Sequence, residues 1–256
     1  MKHFLSLALT FVSVSAFASG PQFDNLSKSE VEDVAREFSA NFSHTGVSAP
    51  ETDGLWGIEV GVLAGKSTSP DLKDVIDSSG GKGSDFKNLY HAGVMARAHF
   101  PFDLFAEVTL LPERDFDDVT VKNSTFEIGW NAGGFFNLPL DLAIGLNRAN
   151  SDISFKQTTP VASEISLESK TTIAWVGVSK TFLFVTPYLK LGTVKAESDV
   201  KSTQPAVFAD GNQTVDNSGG YLALGANLQF AFLKLGFEAS QIMSVKRASA
   251  KLSFDF

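Results

Sequence analysis

Ala248-Ser249-Ala250-Lys251-Leu252-Ser253-Phe254-Asp255-Phe256 alternates small or apolar residues with polar ones to its last position. A period of two marks a β-strand with two unlike faces. Ala248, Ala250, Leu252, Phe254 and Phe256 form one face. Arg247, Ser249, Lys251, Ser253 and Asp255 form the other.

The rhythm recurs upstream. Trp56, Ile58, Val60 and Val62 alternate with Gly57, Glu59, Gly61 and Leu63. Ala96, Ala98 and Phe100 alternate with Met95, Arg97 and His99, and Ala106, Val108 and Leu110 with Phe105, Glu107 and Thr109. Phe126, Ile128 and Trp130 alternate with Glu127, Gly129 and Asn131. Further segments centre on Ile144, Val176, Lys190, Leu224 and Glu238, ten in all with the last. Within 171–181 the faces stay open, because Ile173 and Trp175 compete with Ala174, Val176 and Val178.

The connections alternate in kind. Four are tight and apolar, at Phe100-Pro101-Phe102-Asp103, Asn137-Leu138-Pro139-Leu140, Thr181-Phe182-Leu183-Phe184 and Phe230-Ala231-Phe232. The intervening ones, 65–88, 112–122, 149–170 and 195–219, are longer and polar, and 241–246 is short. Asp152-Ile153-Ser154-Phe155 and Glu164-Ile165-Ser166-Leu167-Glu168 keep the alternation, so the fifth and sixth strands should continue as a hairpin. Residues 70–77 suit one or two helical turns. Bacterial membrane barrels pair short periplasmic turns with longer outside loops. The expectation is an all-β fold: a closed antiparallel transmembrane β-barrel of about ten strands, with eight or twelve as alternatives.

A soluble barrel would turn its apolar face inward. Here the glycines and charges share one face, and the large apolar set would overfill a small interior. Turned to lipid, that set leaves a glycine-rich polar lumen, with every backbone group satisfied by closure. Trp56, Tyr90, Phe100, Phe102, Phe182, Phe184, Tyr188, Phe230 and Phe232 fall near strand ends, where interfacial aromatic girdles sit. The chain has 23 phenylalanines, yet no segment after the leader has the 18 consecutive apolar residues of a membrane helix.

Lys2 and His3, apolar Phe4–Val14 and Ala16-Phe17-Ala18 read as a signal peptide over 1–18. Residues 19–53 are assigned to an N-terminal helix and linker, and 54–256 to the barrel. The helix, expected over 26–44, carries a capping-box pair, Ser27 and Glu30, with Leu26 and Val31 at staple spacing. Val31, Val34, Phe38 and Phe42 share a face that needs an apolar partner. It could plug the lumen from the periplasmic side, lie at the bilayer surface, or form an interface with a sister subunit. Residues 45–53 read as linker.

The terminal run to Phe256, the leader and the strand rhythm resemble those of Gram-negative outer-membrane β-barrel proteins, of the small porin-like or uncharacterised class. That resemblance implies an outer-membrane location, contact with outer-membrane lipid, and an assembly signal at Leu252, Phe254 and Phe256 read by the barrel-assembly machinery.

Cysteine is absent and the net charge is −8, which excludes thiol chemistry and argues against nucleic acid. An omptin-type protease would need an acidic cluster and a histidine at the outer rim. Asp115, Asp117 and Asp118 lie in an outside loop, and His91 could approach it. No serine motif stands near His91 or His99, as a phospholipase would require, and a palmitoyl-transferring barrel's His-Asp-Ser set is not found. The reading is therefore not an enzyme, with no cofactor and no metal. Glu59, Glu107, Glu127 and Glu238, with Arg97, Lys190, Arg247, Lys251 and Asn131, should line the lumen. They make either a packed interior of neutralising pairs or a narrow polar pore. The expected function is a small porin-like or structural barrel, with the helix as a plug. The alternative is a surface binding or adhesion protein acting through its outer loops, as a monomer or a homo-oligomer. A barrel enzyme is the remote alternative.

Overall fold

A computed structural model describes residues 21–43, 46–51, 56–116, 118–133 and 138–256. The expected signal peptide over 1–18, His44 and Asp117 lie outside the described residues.

Ten strands follow one N-terminal helix. They are β1 (Gly57–Thr68), β2 (Asn88–Phe100), β3 (Leu104–Phe116), β4 (Val119–Asn131), β5 (Asp141–Gln157), β6 (Ser163–Ser179), β7 (Val185–Ser202), β8 (Gln213–Phe230), β9 (Leu233–Ile242) and β10 (Val245–Asp255). Each pairs antiparallel with its sequence neighbour, and β1 pairs with β10 to close the barrel. The closing register sets Val60 opposite Phe254 and Val62 opposite Leu252. Ile58 and Phe256 exchange backbone hydrogen bonds of 3.1 and 2.9 Å. Closure leaves no sheet edge inside the hydrocarbon, where an unpaired N–H or C=O is costly.

The strands are unequal, and that divides the barrel into two storeys. β7 and β8 have 18 residues and β9 has 10. About 9–11 residues cross a bilayer, so the long strands run far beyond it. Their outward side chains mark where. On β5, Leu142, Ile144 and Leu146 give way to Arg148, Asn150, Asp152, Ser154 and Lys156. On β7, Leu189 and Leu191 give way to Lys195, Glu197, Asp199 and Lys201. The lower storey thus wears an apolar belt, and the upper storey is a water-facing collar. Several expected loops are in fact this collar. Most of 112–122 and 195–219 is strand, because inward valines at Val121, Val200 and Val215 find an apolar interior to pack on.

The interior inverts with height. In the upper storey Ile153, Phe155, Ile165, Leu167 and Val200 face inward and are buried. In the lower storey the inward positions are mostly charged, polar, aromatic or small. What fills the upper storey is α1 (Lys28–Phe42). Ser27 caps it: its Oγ accepts from the Glu30 N–H at 3.4 Å, and its own N–H donates to Glu30 Oε2 at 2.8 Å. Val31, Val34, Phe38 and Phe42 are all buried, with the Phe38 ring 5.2 Å from that of Phe155. Burying each such side chain contributes about 1.5–3 kcal/mol. A second helix, α2 (Pro70–Ser78), covers the mouth from the β1–β2 loop with Leu72, Val75 and Ile76 inward.

Two expectations are corrected. Tyr188 is not in the outer girdle but is buried inside the barrel, because it alternates with outward Leu189 and Leu191. Within β6, Ile173 and Trp175 point in and Ala174 and Val176 point out, which settles the open face.

Candidate functional site: the lumen and its occupant

The chain descends through the barrel before it joins the wall. At the outer mouth the Phe23 N–H donates to Gln157 Oε1 at 2.9 Å, near the β5–β6 turn. Midway, Ser39 Oγ lies 2.7 Å from Ser169 Oγ and 3.1 Å from Ser198 Oγ. At the lower mouth Asn131 Nδ2 donates to the Glu51 carbonyl, and Ser179 Oγ to that of Pro50. The linker residues 46–51 therefore run inside the barrel, and α1 enters from the outer mouth rather than from the periplasmic side. A polar, proline-bearing stretch does not declare such a course. Here wall side chains take the place of water for its backbone.

Every residue expected to line the lumen is buried inside it: Glu59, Arg97, Glu107, Glu127, Asn131, Lys190, Glu238, Arg247 and Lys251. Several reach the occupant. Lys190 Nζ donates to the Gly46 carbonyl at 2.8 Å and sits 4.7 Å above the Trp175 ring. The Gly46 N–H donates to Glu127 Oε2 at 3.3 Å. Lys251 Nζ bridges Ser48 Oγ at 2.6 Å and Glu59 Oε1 at 2.5 Å. Arg247 donates to the carbonyls of Ala40 and Ser43, the free end of α1, where a cation suits the helix dipole. Other charges pair within the wall. Arg97 Nη1 is 3.4 Å from Glu107 Oε2, and its guanidinium lies 3.9 Å above Phe105. Tyr188 donates to Glu238 at 3.0 Å.

Glycine makes the fit. A Cβ on Gly46 would fall 2.5 Å from Glu107 Oε2, so a side chain there would push the carboxyl aside. A Cβ on Gly145 would fall 2.4 Å from the Trp175 ring, which uses that space to lie flat against the wall.

Sequence reasoning missed four contributors. Lys234, 3.0 Å from Asp255 and 3.6 Å from Glu51, belongs to the lower ring. Phe105 and Trp175 stack at 6.3 Å as an inward aromatic pair. His91, expected only as a residue that could approach the rim, lies inside: Nδ1 is 3.0 Å from Asn41 Oδ1 and Nε2 is 3.0 Å from Ser249 Oγ. The alternation of Ser249 with outward Ala248 and Ala250 was the available signal. So a serine does stand beside a histidine, contrary to expectation, and an amide orients the ring. That is the geometry of a nucleophile, base and orienter. However, Arg247 Nη2 lies 3.4 Å from both His91 Nε2 and Ser249 Oγ, placing a guanidinium against the pair. Ser67 Oγ donates to the same Asn41 oxygen at 2.9 Å. The cluster fastens the lower end of α1.

Above the belt, Glu37 of α1 accepts the Asp71 and Leu72 N–H groups at 3.0 and 2.8 Å, capping α2. Burial pushes its carboxyl up to about 7, against the lowering effect of those two bonds.

Closed antiparallel strands, an apolar outer belt and a polar, filled lumen now stand together. This is the architecture of an outer-membrane β-barrel. Solved structures of that class are similar in fold. Ail, the attachment invasion locus protein of Yersinia pestis, is 11% identical, covering 78% of this chain and 97% of its own, with a TM-score of 0.36. The translocator domain of the autotransporter NalP from Neisseria meningitidis is 10% identical over 80% and 90%, at 0.41. The outer membrane protease OmpT from Escherichia coli is 9% identical over 80% and 98%, at 0.42. Such values carry no argument about activity. No family model matches the chain, and no curated relative matches it.

Proposed function

We propose that the protein is a plugged, non-conducting outer-membrane barrel that works as a surface-binding or structural platform through its extracellular collar. One observation carries this reading: residues 40–43 and 46–51 are held by the charges that would otherwise line a pore. Lys190, Glu127, Arg247 and Lys251 each bond the occupant, so moving it would strand buried charges, which is costly. The collar gives the platform its substance. It raises β5–β8 beyond the lipid on an apolar core rather than as free loops. The C-terminal strand, with Leu252, Phe254 and Phe256, is proposed as the signal for the barrel-assembly machinery. Catalysis does not enter this reading, since Ser249 and His91 are buried and shared with Arg247.

Planar-bilayer recording tests it. The purified barrel should be electrically silent, and Glu127→Ala should admit current by loosening residue 46. Stable ion steps from the unaltered protein would overturn the reading. A fluorophosphonate probe should leave Ser249 unlabelled, and labelling there would restore an acyl-transfer enzyme.

A further inference from the structure

The segment preceding α1 is bound in a way that its helix does not require. Phe23 is recognised through its main chain: Gln157 Oε1 accepts its N–H at 2.9 Å, and Gln157 Nε2 donates to its carbonyl at 3.1 Å. Gln157 is itself buried. Three residues on, Leu26 makes a single parallel bridge to Phe208 in the β7–β8 loop. Leu26 N–H donates to Val207 O at 2.9 Å, and Ala209 N–H donates to Leu26 O at 2.9 Å. Phe23 and Leu26 are the anchors, each 2% exposed. They sit in a wholly apolar pocket against Phe155, Ile165, Leu167 and Phe208. Main-chain bonds with side-chain pockets at spaced positions are how sheet edges capture extended peptides.

Phe23 and Leu26 fill the apolar pocket, but polar groups on the surrounding strands stay unpaired. Among the described residues, both amide atoms of Gln213 and Ser163 Oγ are shut off from solvent with no hydrogen-bond partner. Gln213 pairs with Val200 and Ser163 with Gln157, so both stand on the strands that build this mouth. Polar groups shut off from water without a partner call for one, and a bound peptide's main chain can supply it.

We propose that the outer mouth is a binding site for an extended peptide bearing an aromatic residue followed three positions later by an aliphatic one, and that Gln22–Leu26 occupies it in cis as a displaceable stand-in. The proposal deepens the platform reading and rests on it. It names the class of partner that the collar takes: an exposed segment of a surface or secreted protein. The helix below stays seated when the arm leaves, because its contacts with Ser169 and Arg247 lie apart from the pocket.

The probe is a fluorescent peptide with the sequence of residues 20–28. The full chain carrying Phe23→Asp should bind it at least tenfold tighter than the unaltered chain, whose own arm competes. Adding Gln157→Ala should remove that gain, and a peptide with aspartate at the aromatic position should not bind. If the Phe23→Asp chain does not fold, Leu26→Cys asks the same question. Its buried thiol should react with maleimide at least tenfold faster under saturating peptide. No gain in peptide binding by folded Phe23→Asp, or unchanged Leu26→Cys reactivity, overturns the proposal. A conducting barrel would instead sink the platform reading, so the two failures are distinct.

Discussion

Glu37 makes stability depend on pH in a direction opposite to most carboxylates. The group ionises near 4.5 in an open chain and near 7 here. Between those values the folded chain keeps a proton that the unfolded chain has lost. Stability from this group is therefore full below about pH 4.5, falls as pH rises, and levels off above 7. The gap corresponds to about 3 kcal/mol at most, at roughly 1.4 kcal/mol per unit. Glu37→Gln removes the titration. An amide offers one acceptor where the carboxyl offers two, so one of the two α2 N–H groups loses its bond, at about 1 kcal/mol. The variant should be about 1 kcal/mol less stable at about pH 3.5, nearly level with the parent at about pH 5, and about 2 kcal/mol more stable at about pH 8. Urea unfolding from lipid vesicles across that range measures both curves. Parallel curves, or a variant uniformly weaker than the parent, would refute the argument that burial outweighs the two hydrogen bonds.

Other outcomes follow from the same contacts. Lys251→Met should cost about 3–5 kcal/mol by leaving Glu59 buried without its ion partner, and adding Glu59→Gln should recover much of the loss in the same unfolding assay. Phe38→Ala should cost about 3–5 kcal/mol, read as a lower melting temperature of the unheated band on a gel. Asp24→Cys introduces a thiol into a chain without cysteine. It should label with a membrane-impermeant maleimide on intact cells, because Asp24 is exposed at the outer mouth; labelling only after the outer membrane is opened would contradict the direction of threading.

How far the sequence foretold this depends on the length scale of each signal. Strand identity and barrel parity are local: Leu252 beside Ser253, or a tight turn at Pro101, states its own orientation. The lumen set was legible for the same reason, since Glu59 and Arg97 alternate with Ile58 and Ala98. Ser27 and Glu30 likewise announced the start of α1. The course of 46–51 was not legible. Those residues follow no period, because their partners are Lys190, Lys251 and Asn131. These arrive from strands 80 or more residues away in sequence. Nor did β7 and β8 declare their full length. Lys195-Ala196-Glu197-Ser198-Asp199 looks like loop until the apolar face of α1 is placed behind it. The His91–Ser249 contact hid for the same reason, the two lying 158 positions apart.

The central claim is that α1 lies inside the closed barrel, and one cross-link tests it most directly. Ser39 Oγ and Ser169 Oγ are 2.7 Å apart, on the helix and on β6. Sulfurs in those positions need move only slightly to reach the roughly 2.05 Å of a disulfide. The Ser39→Cys/Ser169→Cys chain, exported and oxidised without added reagent, should form that bond in nearly every molecule while keeping the unheated mobility of a folded barrel. Free thiols on both residues in a barrel that otherwise folds normally would show the helix to be elsewhere.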